Sequence, residues 1–321
     1  MIAAGAAFAA DNPFLGSWEL TIPGGAAGWL GVRETGGHLD SSMLWGWGSV
    51  EPITSTRLDH GQLVLRRVHH FEEKDVYGNR VRKTSIETIF AQTDGRHLHL
   101  LRVQPRRNGD GFDTAQFSGR RTPPMPPAPD LSEVEYGAPI QLFDGEDLAG
   151  WRLTDPHAVS GWSVHDGTLI NNPVQVKGQP HKDYGNLRTD KVFKDFNLKV
   201  EVRVGKGENS GVYLRGIYEV QVEDSYGQGV DSHHMGAIYS RITPSVAAER
   251  PPGQWQNLDI TFVRRHVTVI LNGQKIIDNQ PVEGCTGGAL WSDVSRPGPI
   301  YLQGDHTGIE YRSIVLRPVI D

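Results

Sequence analysis

Between Phe196 and Val204 the chain reads FNLKVEVRV, in which Phe196, Leu198, Val200, Val202 and Val204 alternate without a break with Asn197, Lys199, Glu201 and Arg203. No other feature constrains the fold as much. At 3.6 residues per turn these apolar residues would scatter around a helix, whereas on a strand they make one face. The same period recurs in WQNLDITF, where Leu258, Ile260 and Phe262 oppose Trp255, Asn257 and Asp259. Asp166-Gly167 and Asn272-Gly273 supply the positive-φ turns that close hairpins. With 38 Gly and 20 Pro among 321 residues, the chain is expected to be all-β and rich in turns.

That length suits two domains. Residues 121–137, RTPPMPPAPDLSEVEYG, carry five prolines, which fix φ and remove backbone donors, so residues 121–138 are read as a stiff linker. Upstream, residues 11–120 offer FLGSWELTI, WLGVRE, LVLRRVHHF, TSIETIFAQ, HLHLLRVQ and TAQFSGRR at hairpin spacing. A lipocalin-like antiparallel barrel is expected there, because closure removes the exposed edges of so many consecutive strands. Gly16-Ser17-Trp18 is similar to the G-x-W opening of such barrels. Trp45, Trp47, His69 and His70 are read as barrel filling and surface residues, with a sugar-binding mouth as the alternative, and no catalysis is assigned to this domain. Downstream, residues 139–321 are expected to pack two antiparallel sheets face to face as a jelly-roll sandwich.

Composition excludes several function classes. A net charge of −6 without a basic stripe argues against a nucleic-acid partner, and no run approaches the roughly 20 apolar residues of a membrane span. The single cysteine, Cys285, rules out an intrachain disulfide. Residues 1–10, MIAAGAAFAA, carry Ala-Phe-Ala at positions 7–9 and precede Asp11-Asn12-Pro13, which reads as the remnant of a secretory signal, so an exported protein, periplasmic or extracellular, is expected.

The densest chemistry lies in residues 210–239, SGVYLRGIYEVQVEDSYGQGVDSHHMGAIY. Tyr218, Val220 and Val222 share one strand face, leaving Glu219, Gln221 and Glu223 on the other, and a Gly-rich turn leads to His233-His234. Glu219, Gln221, Arg215, Trp255, Asn257 and His306 are expected to open into one groove, since each lies opposite its strand's oily face or at a strand end.

The ordered segments LFDGEDLAGW, GWSVHDGTLI, LRTDKVFKDFNLKVEVRV, SGVYLRGIYEVQVEDSYG, HHMGAIY, GQWQNLDITF, VILNGQKI and GPIYLQGDH resemble the 3-keto-disaccharide hydrolase domain family, over about residues 139–318. The resemblance implies a concanavalin-like lectin or glucanase jelly roll acting on glycosides oxidised to a ketone at carbon 3, with a sugar 3-oxidoreductase as the upstream partner. Such a ketone acidifies the adjacent C–H, so the bond can open by β-elimination followed by hydration. On that implication Glu219, His233 and His234 are the candidate bases, and Arg215 or a divalent ion polarises the ketone. Glu219, Asp224, His233 and His234 are the ligand types for such an ion. Tyr239 and Trp255 would stack on sugar, while Gln221, Asn257, Gln303 and His306 would bond its hydroxyls. A two-carboxylate glucanase-like hydrolase and a non-catalytic carbohydrate-binding protein are the alternatives. The E-x-D-x-x-E pattern of the former is absent, and the cluster of ionisable groups argues against the latter.

Overall fold

The computed structural model describes residues 12–74, 77–107 and 109–320, and its regular elements are strands. The export reading of residues 1–10 lies outside the described residues. Among those described, no helix is long and apolar enough to cross a membrane.

Contacts divide the chain into two units. The first carries β1 (Gly16–Thr21), β2 (Ala27–Thr35), β3 (His38–Leu44), β4 (Val50–Pro52), β5 (Ser55–Asp59), β6 (Gln62–Lys74), β7 (Arg80–Thr93), β8 (His97–Pro105) and β9 (Phe112–Arg121). They form one sheet in the order β4-β3-β2-β1-β9-β8-β7-β6-β5. Its two edge strands are successive in the chain and joined by Ile53 and Thr54 alone, a connection of three Cα steps that reaches at most about 11 Å. The sheet therefore curls until its edges come together, as a barrel does. Trp18 is fully buried, donates from Nε1 to the Phe14 carbonyl at 2.8 Å and lies under the Arg121 guanidinium. His69 is committed to Glu87 at 3.2 Å and His70 to Thr84 at 3.1 Å.

The second unit contains Pro123–Asp321 together with Ala26–Gly28 and Leu44–Val50. Its strands are β10 (Ile140–Phe143), β11 (Trp151–Leu153), β12 (Trp162–His165), β13 (Thr168–Asn171), β14 (Leu187–Thr189), β15 (Phe196–Arg203), β16 (Asn209–Leu214), β17 (Tyr218–Glu223), β18 (Trp255–Val263), β19 (His266–Leu271), β20 (Gln274–Pro281), β21 (Tyr301–Leu302) and β22 (Ile309–Pro318). The larger sheet runs β12-β13-β22-β15-β18-β19-β20, with β10 also on β22; the smaller runs β11-β14-β21-β16-β17. Strand parity decides the core. In β15, Phe196, Leu198, Val200 and Val202 are buried opposite Phe262, Ile260 and Leu258 of β18, each stabilising by roughly 1.5–3 kcal/mol. Tyr218 of β17 crosses the core to Phe262, with ring centroids 5.1 Å apart, so the two sheets pack face to face.

The proline-rich segment lies along this second unit. Its prolines lack N–H groups but keep their carbonyls: those of Pro123 and Pro124 accept from Arg265 and that of Pro129 from Asn279. Tyr136 then bridges Val319.

Candidate active site

Because Tyr218, Val220 and Val222 turn inward, Glu219 and Gln221 stand on the outer face of the smaller sheet. Antiparallel pairing lines up side chains of equal parity across three strands. One row runs Tyr301, Tyr213, Glu219 and the next Gln303, Gly211, Gln221; Asn209 stands opposite Glu223 beyond them. The middle row is empty at its centre. A Cβ on Gly211 would sit 2.2 Å from Glu219 Oε1, so the missing side chain is the dent that receives the carboxyl group. The result is a cleft of about 490 Å³, its open part included, lined also by Trp47, Tyr239, Gly287, Gly288 and His306.

Loops roof what the sheet floors. Gln221 N donates to Ala237 and Tyr239 N to Glu219, so residues 235–239 extend the edge of β17 and bring Tyr239 over the cleft. Glu219 N donates to Thr286 Oγ1. Under this cover Glu219 is only 4% exposed. Burial, reinforced by the charges of Asp305 and Glu223, pushes its carboxyl up to about 8 against the hydrogen bond from Tyr213. The Tyr213 hydroxyl is shared, since it also donates to the Gly287 carbonyl at 2.7 Å, and its ring stacks on Tyr301 at 4.0 Å. At the rim, a 2.9 Å hydrogen bond to Asp305 raises the His306 imidazole above its usual value. Oε1 of Gln221 and Oε1 of Gln303 are buried and without a hydrogen-bond partner, although both side chains line the cleft. Buried amide oxygens left in this state favour a ligand that brings hydroxyl donors.

Of the residues expected in the groove, the structure gathers Glu219, Gln221, Tyr239, Gln303 and His306. It places the others elsewhere. Trp255 and Asn257 do face away from the core, but β18 belongs to the larger sheet, so their side is the opposite exterior of the sandwich; there the guanidinium groups of Arg203 and Arg312 stack on the Trp255 ring, 4.8 and 4.6 Å from its centroid. Arg215, 2% exposed, occupies a left-handed turn with φ 56° and spends its guanidinium on the Val294 and Arg296 carbonyls, so it is a structural clamp. His234 Nδ1 bonds the Gly229 carbonyl, while His233 sits between Asp231 at 2.6 Å and Ser49 Oγ at 2.8 Å. That Asp-His-Ser order copies a hydrolase triad, but the amide following the serine, Val50 N, is occupied by Ser240 Oγ, leaving it unable to bind an oxyanion.

The four candidate metal ligands are likewise separated. Glu219 is in the cleft, Asp224 accepts from Gly207 N, and the two histidines have the partners just given. Among the described residues no group of three or more His, Cys, Asp or Glu is placed to hold an ion. Sequence reasoning missed Gly211, Tyr213, Tyr301 and Asn209, which become visible once the pairing of β16 with β17 and β21 is known.

Fold and site together define a β-sandwich protein with a carboxyl-centred polar cleft on the outside of its smaller sheet. Residues 138–317, more than half of the chain, match the family of 3-keto-alpha-glucoside-1,2-lyase-like domains, and the chain belongs to that family. It is 27% identical over 172 residues to a 3-keto-disaccharide hydrolase of Bacteroides thetaiotaomicron, a match covering 45% of this chain and 59% of the length of that relative. Among solved structures it is similar to two Parabacteroides distasonis proteins provisionally described as glycosyl hydrolases. The first is 31% identical with a TM-score of 0.47, covering 61% of this chain and 93% of that one. The second is 20% identical with a TM-score of 0.48, covering 57% and 94%.

Proposed function

We propose that this protein is an enzyme that opens the glycosidic bond of 3-keto-glycosides, with Glu219 as its general base. The observation that carries the reading is a carboxyl group, only 4% exposed, on the floor of a cleft lined by phenols and amides; its burial pushes it up to about 8, which is the poise proton abstraction near neutrality requires. The family membership and the name of the Bacteroides relative support the same chemistry.

The steps balance without a redox change. Glu219 takes the proton from carbon 2, beside the ketone; the freed electron pair becomes the C1=C2 bond as the C1–O bond breaks. His306 at the rim gives the departing oxygen its proton. Water then adds its hydroxyl to carbon 1 and its proton to His306, while Glu219 returns a proton to carbon 2. With Arg215 committed to backbone carbonyls and the Tyr213 hydroxyl to Gly287 and Glu219, the donor at hand for the developing enolate oxygen is the Gln303 amide.

A two-carboxylate hydrolase is the weaker reading. Glu223 shares Glu219's face but stands four residues along the strand, roughly 13 Å at 3.3 Å per residue, beyond the separations such mechanisms use. The proposal extends to an upstream sugar oxidoreductase that installs the ketone and, from residues 1–10, to export. Incubating the protein with a 3-keto-glucoside and with its unoxidised parent tests the central point: the ketone should be cleaved and the parent left intact. Equal cleavage of both would overturn elimination.

A further inference from the structure

We infer that Trp47, carried by the loop between β3 and β4, is the platform on which the leaving group of the substrate stacks, so that the enzyme selects glycosides whose leaving group presents a flat apolar face. The inference rests on the reading of the cleft as a glycoside site and adds to it a specificity residue from a part of the sequence outside the family match.

The loop is built to hold one ring in place. Leu44–Val50 counts with the second unit, and its GWG turn is seated on residues 287–288 of that unit. Gly46 and Gly48 have φ of 84° and 73°, values that L side chains rarely adopt. Gly288 N donates to the Gly46 carbonyl at 2.9 Å. A Cβ on Gly287 would lie 2.2 Å from the Gly48 carbonyl oxygen, so the two backbones touch where a side chain on residue 287 would prevent it. The far end of the loop is tied twice, by Ser49 Oγ to His233 and by Val50 N to Ser240 Oγ, each at 2.8 Å.

Within this fixed frame Trp47 is 68% exposed and lines the cleft, close to where a Cβ on Gly288 would stand beside the Tyr213 hydroxyl. Holding a large apolar ring in water brings no gain to the fold; held against a cleft, it offers a face to a ligand. Glu219 sits deep beneath the cover of the loops and receives the ring whose proton is removed, so a mouth residue meets what lies beyond the scissile bond. Stacking fits an aryl ring or the apolar face of a second sugar.

The test uses the full chain and two 3-keto-glucosides of one anomeric form, with phenyl and methyl leaving groups. In Trp47→Ala the phenyl-to-methyl ratio of kcat/KM should fall roughly tenfold through KM, and Trp47→Phe should restore most of it, with unchanged melting temperatures. An unaltered ratio, whether both rates fall together or neither does, overturns the inference. If the wild type cleaves neither compound, the functional reading fails by itself, and Trp47 is judged by calorimetric titration with unoxidised phenyl glucoside. About tenfold weaker binding in Trp47→Ala upholds the platform; equal affinity, or no binding to wild type, rejects it.

Discussion

At the scale of single residues, the chemistry depends on one carboxyl group and on the side chain that Gly211 lacks. Glu219→Gln keeps the shape and removes the basicity, so turnover of a 3-keto-glucoside should drop by roughly 10²-fold or more while KM changes little. Loss of binding with kcat retained would reassign Glu219 to sugar recognition. With its pKa at about 8, Glu219 in the free enzyme is mostly protonated at pH 6. kcat/KM should therefore climb about tenfold per pH unit on the acid side, where Glu219 and His306 are both protonated, and fall on the alkaline side, where His306 has lost the proton it gives to the leaving group. A profile already flat from pH 5 upward would contradict a buried base. Gly211→Ala is a subtler perturbation, since its methyl group meets Oε1 at 2.2 Å and the Glu219 side-chain carbons at 2.9 Å. Displacing a packed side chain typically costs about 1–3 kcal/mol. The carboxyl must move, so Gly211→Ala should lose activity out of proportion to its loss of stability, as parallel kinetics and urea melts would show.

At the scale of elements, a sequence can show which way a side chain points but not which strand lies beside it. The alternation in β15, β17 and β18 fixed inside and outside correctly, and the burial of Phe196, Leu198, Tyr218, Val220, Leu258 and Ile260 follows it. Trp255 was read onto the wrong exterior because two sheets have two outsides, and parity is silent on which sheet a strand joins. Tyr301 was illegible for the same reason, since it lies 82 residues beyond Glu219 and joins it only through the pairing of β21 with β16; Tyr213, six residues before Glu219, comes opposite it through the β16–β17 hairpin, whose register alternation alone leaves open. Arg215 looked functional because charge next to a strand usually faces water, yet a left-handed turn folds it back onto the 294–296 backbone. His233 is also an element-scale residue, a strut under the Trp47 loop. His233→Ala should raise KM severalfold with kcat retained within about a factor of three, since it leaves Glu219 untouched. A collapse of kcat with KM unchanged would return it to the chemistry.

At the scale of the whole molecule, the all-β class was legible from strand alternation and hairpin turns, whereas the return of Leu44–Val50 to the second unit was not, because no local pattern announces a loop's tertiary partner. The cleft also bears on stability. An acid whose folded pKa is raised to about 8 from an ordinary 4.5 binds a proton more tightly in the native than in the unfolded state. Its contribution is complete below pH 4.5 and is lost as pH rises through 8, at up to about 1.4 kcal/mol per pH unit within that window. Glu219→Gln is neutral throughout and should show no such loss. Denaturant melts of both proteins at pH 5, 6, 7 and 8 isolate the effect, because all other titrating groups are shared and cancel in the difference. The transition belonging to the second unit is the one the substitution shifts, and in it the variant should gain on the wild type with every step in pH. A difference that stays constant from pH 5 to 8 would mean that Glu219 is ionised in the folded protein across this range, and with that the near-neutral base proposed for the cleft would fall.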